Sequence, residues 1–136
     1  MAADDRKVQP ARRVPAPPVG VVYLLHFDEP YQHARHYTGW TGDDVLDRLT
    51  RHAQGRGARL MQVVRDAGIG FTLVRVREGT RDLERAIKQA GGASRYCPAC
   101  TTWPRNGRWG ELPYELVPRH YPCSRSGGSQ GWTLIA

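Results

Sequence analysis

The amino-acid sequence predicts one small α/β domain of the α+β kind, in which an antiparallel sheet is flanked by helices and followed by an irregular C-terminal segment. Two apolar runs rich in strand-forming residues, 21–27 and 71–77, predict the sheet. Between them, apolar residues recur at helical spacing. After residue 92 neither period continues. The length of 136 residues suits one compact domain.

The first two predicted strands form a hairpin. Residues 21–27 follow Gly20, and the turn-like cluster at residues 28–30 ends the run. Residues 33–37 predict a second strand that ends at Gly39. Because the connecting loop is short, the two strands are expected to pair antiparallel.

Two helices are predicted next. Residues 41–44 offer N-cap side chains ahead of apolar positions with helical spacing, at Val45, Leu46, Leu49 and Ala53. Arg48 and His52 lie one turn apart and therefore share a face of this helix. Residues 58–67 predict a second amphipathic helix, which Gly68 and Gly70 end.

The third strand, residues 71–77, is expected to place its odd-numbered side chains on one face. A capping box near Thr80 predicts a third helix through Gln89, closed by a glycine pair. Thr80 precedes Glu84 by four residues rather than three, so whether Glu84 belongs to this cap is open. A short terminal strand is predicted for residues 132–135.

The charge balance indicates a phosphate-rich partner. Twenty Lys and Arg residues against thirteen Asp and Glu residues give a net charge of +7. Arginine supplies nearly all of the excess, and its planar fork suits bidentate phosphate contacts. The alternative is that genomic base composition raised the arginine content without any functional cause.

Three observations predict a cytoplasmic protein. No apolar run approaches the ~20 residues that a membrane span requires. The N-terminus is charged and lacks a hydrophobic signal core. Three cysteines, an odd count, argue against a disulfide framework and fit a reducing compartment. The proline-rich residues 1–18 are interpreted as a disordered arm, residues 19–92 as the main domain and residues 93–136 as an extension.

Several residues in order resemble the motifs of the GIY-YIG nuclease family. Val21-Val22-Tyr23 and Tyr37-Thr38-Gly39 resemble the paired tripeptides that name the family. Further matches are Thr41, then Arg48 and His52 on the next helix, and Glu84 on the last helix. The resemblance covers residues 20–89 and implies a three-stranded antiparallel sheet flanked by helices.

The resemblance also implies a function, namely the metal-dependent hydrolysis of phosphodiester bonds. DNA is the expected substrate rather than RNA, and the oligomeric state is left open. Glu84 would hold one Mg²⁺ or Mn²⁺ ion, a hard cation that prefers oxygen ligands. Arg48 would grip the scissile phosphate. Tyr23 or Tyr37 would activate or position the attacking water. His52 would assist by proton relay or phosphate contact, and His36 is a further candidate for this role.

Each of these residues also has an ordinary structural interpretation. Tyr23 fits a core position, Arg48 fits an ion pair with Asp44 one turn earlier, and His52 fits a solvated helix surface. Trp40 stands where some family members carry lysine, and the family's late asparagine has no counterpart near residues 94–95. These departures favour the main alternative, a catalytically inactive nucleic-acid-binding module. A zinc-stabilised protein-interaction domain is a third candidate.

The C-terminal extension carries a metal-binding pattern. Cys97 and Cys100 form a CxxC turn, and His120 and Cys123 form an HxxC pair about twenty residues later. This set predicts a tetrahedral structural Zn²⁺ site that would order a segment poor in aliphatic residues. A redox CxxC or three unligated thiols are the alternatives.

Aromatic and basic residues between the two pairs are candidates for nucleic-acid contact. Arginines interleaved with exposed aromatic rings can hold phosphates and stack bases. The predicted contact residues are Arg51, Trp103, Arg105 and Arg108. Trp109, together with Trp103, could instead pack on the zinc-binding segment.

Overall fold

The computed structural model describes residues 18–112 and 115–123. The arm predicted for residues 1–18, apart from its last residue, and the strand predicted for residues 132–135 lie outside the described residues. The described elements are β1 (Gly20–Tyr31), β2 (Ala34–Thr41), α1 (Val45–Ala53), α2 (Arg59–Asp66), β3 (Phe71–Gly79), α3 (Arg81–Ala90), α4 (Ala93–Tyr96), a 3-10 turn (Gly107–Trp109) and β4 (Arg119–Tyr121).

The fold is α+β with an antiparallel sheet flanked by helices, as predicted. The sheet has four strands in the order β2-β1-β3-β4, one more than the expected three. The additional strand, β4, pairs Phe71 with Tyr121, and their rings stack at 5.1 Å between centroids. Only three residues long, β4 has too little periodicity to be read from sequence.

The hairpin forms, but its turn lies farther along the chain than predicted. β1 continues through residues 28–30 to Tyr31, and the reversal occurs at residues 32–33, where Gln32 adopts a φ of 56°. The pairing register shifts between His26 and Tyr31. The expected break at residues 28–30 is therefore an irregularity within the strand, which accommodates Pro30.

β3 differs from its predicted alternation. Leu24 pairs with Arg75 and Leu25 with Leu73, so that β3 holds one extra residue at this point. The bulge shifts the side-chain alternation, and Val76 joins the core cluster that contains Leu73. The expectation that all odd positions share a face is wrong beyond Leu73.

The two faces of the sheet bury different clusters. On one face α1 and α2 enclose the larger core, which includes Tyr23, Leu25, Phe27, Leu49, Met61, Val64, Phe71 and Leu73. The other face packs beneath α3 and the segment after it, through Val22, Leu24, Val74, Cys97 and Trp109. Residues of the C-terminal extension thus share a core with the sheet.

Arg75 fixes the segment after α3 to the second face. Its side chain is 1% exposed and donates to the carbonyl oxygens of Tyr96, Arg105 and Gly110 at 2.7 to 3.0 Å. A further bond reaches the Asn106 side chain at 3.2 Å. These four bonds satisfy a buried guanidinium and hold an otherwise irregular chain in place.

Within the part of the chain that the structure describes, no helix combines the length and apolar character that crossing a membrane requires.

Candidate active site and metal-binding cluster

Tyr23 lies at the centre of the first candidate site. It is completely buried in β1, directly opposite Gly39 of β2. A Cβ atom added to Gly39 would lie 2.5 Å from the Tyr23 hydroxyl oxygen and Cζ. Only glycine therefore lets the Tyr23 ring cross the neighbouring strand, which explains a glycine at this position.

The Tyr23 hydroxyl is hydrogen-bonded to His52, which is buried and 1% exposed. The hydroxyl oxygen and the Nε2 atom of His52 are 2.8 Å apart, and Nδ1 lies 3.3 Å from the Arg56 carbonyl oxygen. Because a carbonyl only accepts, Nδ1 carries the proton of a neutral ring. Nε2 then presents its lone pair and accepts the hydrogen of the Tyr23 hydroxyl.

Burial keeps both members of this pair neutral. It raises the pKa of Tyr23 well above the ordinary tyrosine value, and electrostatic interactions with Tyr37 and Glu84 add to the rise. Burial, assisted by the positive charge of Arg48, lowers the pKa of His52 to about 4. At neutral pH the pair is thus a neutral phenol hydrogen-bonded to a neutral imidazole. The imidazole nitrogen that can accept a proton already faces the phenol, so it can receive one only from the Tyr23 hydroxyl.

Arg48 contributes the positive charge of the site. Its positive charge opposes the rise in the pKa of Tyr23. Its Nε atom is buried and has no hydrogen-bond partner among the described residues. Asp44, the alternative ionic partner, accepts instead from the Leu46 amide at 2.8 Å as the N-cap of α1. Arg48 therefore keeps an unsatisfied donor beside the buried phenol.

Tyr37 of β2 and Lys88 of α3 extend the site. The Tyr37 ring centroid lies 6.2 Å from that of Tyr23 and 5.5 Å from that of His52. The Lys88 ammonium nitrogen lies 5.5 Å from the Tyr37 ring centroid. The two predicted tyrosines are therefore close together, and an unpredicted lysine stands over one of them.

Glu84 approaches from α3, whose N-cap is Thr80. The Thr80 hydroxyl accepts from the Leu83 amide at 3.3 Å, and Leu83 rather than Glu84 occupies the capping-box position. The Glu84 side chain is 13% exposed, and its Oε2 atom lies 2.7 Å from the Lys88 ammonium. Its charge adds to the rise in the pKa of Tyr23, and its partner Lys88 lies over the Tyr37 ring.

The second candidate site is a group of metal-ligating side chains. The donor atoms of His26, His36, Cys97 and Cys100 all lie within 4.8 Å of one another and could hold a metal ion such as zinc. Burial raises the pKa of the Cys97 thiol to about 11, and the neighbouring Cys100 adds to this rise.

The predicted zinc ligands are thus corrected in part. Cys97 and Cys100 meet at the site, but His120 and Cys123 lie elsewhere. The His120 Nε2 atom is 2.9 Å from a carboxylate oxygen of Asp28, and the Cys123 thiol donates to the Arg65 carbonyl at 3.5 Å. The HxxC spacing suggested a second ligand pair that the fold does not bring to the first.

Both missed ligands left a signal in the hairpin. His26 and His36 are direct register partners, and pairing Tyr23 with Gly39 places these two histidines opposite each other. Directly opposed side chains on one face are ~5 Å apart at Cβ, which is close enough to share a ligand. A correct register for the hairpin predicts that the two histidines are opposite each other. The turn was expected at residues 28–30 rather than at residues 32–33, so this register was not available from the sequence.

The residues predicted to contact nucleic acid are exposed. Arg51 lies in the last turn of α1, and Trp103 is 86% exposed. Arg105 and Arg108 are exposed residues. Their backbone carbonyl oxygens accept hydrogen bonds from the Arg75 and Arg77 side chains, respectively. Trp109, in contrast, is buried against the sheet, so packing is its structural role.

No known family model, no curated protein and no solved structure matches the chain.

Proposed function

We propose that the protein is an endonuclease that hydrolyses phosphodiester bonds in DNA with one divalent metal ion. The observation that carries the proposal is the buried hydrogen bond between Tyr23 and His52, whose tyrosine is influenced electrostatically by Arg48 and by the nearly buried Glu84. These are the groups that in-line attack of water on a phosphate needs. The resemblance of residues 20–89 to the GIY-YIG nucleases supports the same reaction.

Arg48 is the group that binds the scissile phosphate. Its buried Nε has no partner among the described residues, and a phosphate oxygen would satisfy it with a charge-assisted hydrogen bond. Such a bond strengthens as negative charge accumulates on the phosphoryl oxygens in the transition state. Arg48 therefore stabilises the transition state more than the bound substrate.

Tyr23 and His52 form the proton relay. As a water molecule attacks phosphorus, its proton passes to the Tyr23 oxygen, while the phenolic proton moves to Nε2 of His52 across 2.8 Å. Because the two transfers occur together, Tyr23 does not have to form a free phenolate. The raised pKa of Tyr23 would oppose the formation of that phenolate. The imidazolium that forms is compensated by the charge that develops on the phosphate.

Glu84 is the residue that would hold the divalent cation. A Mg²⁺ site commonly uses one or two carboxylates, with water and phosphate oxygens as the remaining ligands, and Glu84 supplies one carboxylate that is nearly buried. When bound, the cation would neutralise phosphate charge and lower the pKa of the attacking water. Lys88 contacts Oε2 of Glu84, which leaves Oε1 for a metal ion.

The charge of the chain supports a nucleic-acid substrate. The net charge of +7 favours a polyanion through counterion release. Arg51 on α1, and Trp103, Arg105 and Arg108 after α4, are exposed side chains that can contact the phosphate backbone or stack on bases. DNA is the proposed polymer.

The Glu84–Lys88 ion pair favours one alternative, a module that binds nucleic acid without cleaving it. At 2.7 Å the ammonium neutralises the carboxylate, and the site would then attract phosphate through Arg48 without any metal. A module of this kind binds DNA equally well with and without magnesium and yields no nicked product.

The two functions separate in one experiment. Purified protein is incubated with supercoiled plasmid in magnesium and, in parallel, in EDTA, and DNA binding is measured under both conditions. The nuclease proposal predicts relaxed and linear products only with magnesium. Intact plasmid at all protein concentrations, with unchanged binding, would support the inactive module. A structured RNA of equal mass concentration serves as the comparison for polymer preference.

A further inference from the structure

We propose that His26, His36, Cys97 and Cys100 bind one structural Zn²⁺ ion, which joins the β1–β2 hairpin to the segment that follows α3. The inference is independent of the nuclease proposal. It rests on the mutual distances of four donor atoms, on their surroundings and on the position of the site in the fold.

Four of the six donor-to-donor distances match those of a zinc tetrahedron. Zinc–ligand bonds of ~2.3 Å to sulfur and ~2.05 Å to nitrogen place two nitrogens about 3.3 Å apart and a nitrogen and a sulfur about 3.6 Å apart. His26 Nδ1 lies 3.4 Å from His36 Nε2. The nitrogen-to-sulfur distances are 3.4 Å from His26 to Cys97, 3.6 Å from His26 to Cys100 and 3.4 Å from His36 to Cys100.

Hydrogen bonding alone does not explain this geometry. The Nδ1 atom of His26 has three neighbours at these distances, namely one nitrogen and two sulfurs. A ring nitrogen carries either one hydrogen or one lone pair, so it satisfies one such neighbour at a time. One cation among the four atoms satisfies all of them at once.

The CxxC turn has the features of a thiolate ligand turn. The amides of Cys100 and Thr101 donate to the Cys97 carbonyl at 3.0 and 3.2 Å and close the turn. The two sulfurs of this turn lie within 4.8 Å of each other, as a pair of ligands to one metal ion requires.

Charge balance also supports the site. Two thiolates and two neutral imidazoles cancel the charge of Zn²⁺. The negative sulfur of Cys97 would also act favourably on the buried Arg75 guanidinium, whose four hydrogen-bond acceptors among the described residues are uncharged oxygens. Four protein ligands leave no open position, which assigns the metal a structural rather than a catalytic role.

The position of the ligands explains what the ion would do. His36 precedes Tyr37 in β2, and Cys97 follows Tyr96 at the end of α4. Tyr37, Lys88, Tyr96 and Trp109 line a groove of about 410 Å³ between β2 and α3. Zinc would hold the two walls of this groove at a fixed separation, in addition to the packing of Trp109 and the hydrogen bonds of Arg75 to the segment.

The test compares two ligand sets in the full-length protein. Zinc content is measured on protein purified under reducing conditions, for the wild type and for His36→Asn and Cys100→Ser. Matched controls are His120→Asn and Cys123→Ser, which alter the HxxC pair. We expect about one zinc per chain in the wild type and both controls, and less than about a tenth in the two ligand variants.

A spectroscopic measurement keeps the proposal testable if a ligand variant fails to fold. In cobalt-substituted protein the sulfur-to-metal charge-transfer absorption scales with the number of thiolates. The proposed site has two, so Cys123→Ser should leave the absorption unchanged, whereas ligation by all three cysteines would lower it by about a third. A wild type without zinc, a Cys97–Cys100 disulfide in its place, or zinc lost in the HxxC variants would overturn the proposal. None of these readouts depends on DNA cleavage.

Discussion

The Tyr23 hydroxyl and the Nε2 atom of His52 are 2.8 Å apart in the interior of the protein, although the two residues are twenty-nine positions apart in the chain. The Arg56 carbonyl fixes the tautomer of His52 through the opposite nitrogen. A buried pair of this kind needs a reason beyond packing, because phenylalanine and leucine would fill the same volume without two polar groups to satisfy. A proton relay is such a reason.

The relay predicts a specific pattern of mutant rates. Tyr23→Phe and His52→Gln should each lower the single-turnover rate of plasmid nicking by about 100-fold or more. Because both residues act in one proton transfer, the double variant should be little slower than the slower single variant. Tyr121→Phe, a ring that stacks on Phe71 at 5.1 Å, is the control and should nick at the wild-type rate. If the fold-reduction in nicking rate of the double variant equals the product of the two single reductions, the two residues do not act in one step.

Arg48 is expected to matter for the transition state rather than for folding. Arg48→Ala removes a donor whose Nε has no partner in residues 18–112 and 115–123, so we expect a loss of about 100- to 1,000-fold in nicking rate with little change in melting temperature. Arg85→Ala alters a highly exposed residue of α3 that pairs with Asp82 and should leave the rate unchanged. An Arg48→Ala variant that nicks normally would remove the proposed phosphate ligand.

Lys88 is expected to compete with the metal ion for Glu84. The ammonium lies 2.7 Å from Oε2, and Lys88→Met removes that competition while retaining an unbranched side chain. The magnesium concentration that gives half-maximal nicking should therefore fall severalfold. The measurement is a magnesium titration of the initial rate at saturating DNA. An unchanged or higher half-maximal concentration would show that Lys88 assists the site in another way.

His52 should make stability depend on pH. Its folded-state pKa is about 4, below the unfolded value of about 6.5, so the unfolded chain binds the extra proton between these pH values. The stabilising contribution is complete above pH ~6.5 and is lost as pH falls toward 4, by on the order of 3 kcal/mol. Urea denaturation of the wild type and His52→Gln between pH 4 and 7 measures the difference. Equal slopes for the two proteins would contradict a neutral buried His52.

Much of the fold could be predicted from local patterns, because periodicity and caps act over a few residues. Asp44 and Thr80 cap α1 and α3, as the side-chain chemistry suggested. The bulges in β1 and β3 could not be predicted, since they depend on cross-strand register rather than on composition. This is why the sequence placed Arg75 on the wrong face and ended β1 too early.

The two candidate sites were predictable to different extents. Tyr23, Tyr37 and His52 lie with their ring centroids within 6.2 Å of one another, while the assignment of Arg48 and Glu84 to a shared catalytic site stays a prediction and Lys88 was not foreseen. For the metal cluster the CxxC turn was evident, but its partners were not. The choice between His120 and the hairpin histidines depends on contacts between residues 71 and 74 positions apart, which spacing rules do not reach.

The central claim is that Glu84 belongs to a hydrolytic site, and one comparison tests it directly. The initial rate of magnesium-dependent nicking of supercoiled plasmid is measured for the wild type, Glu84→Gln and Asp82→Asn, the last being an exposed carboxylate two positions earlier on α3. We predict nicking by the wild type and Asp82→Asn, and a rate at least about 100-fold lower for Glu84→Gln. A wild type that does not nick, or a Glu84→Gln variant that nicks as fast as the wild type, would contradict this account.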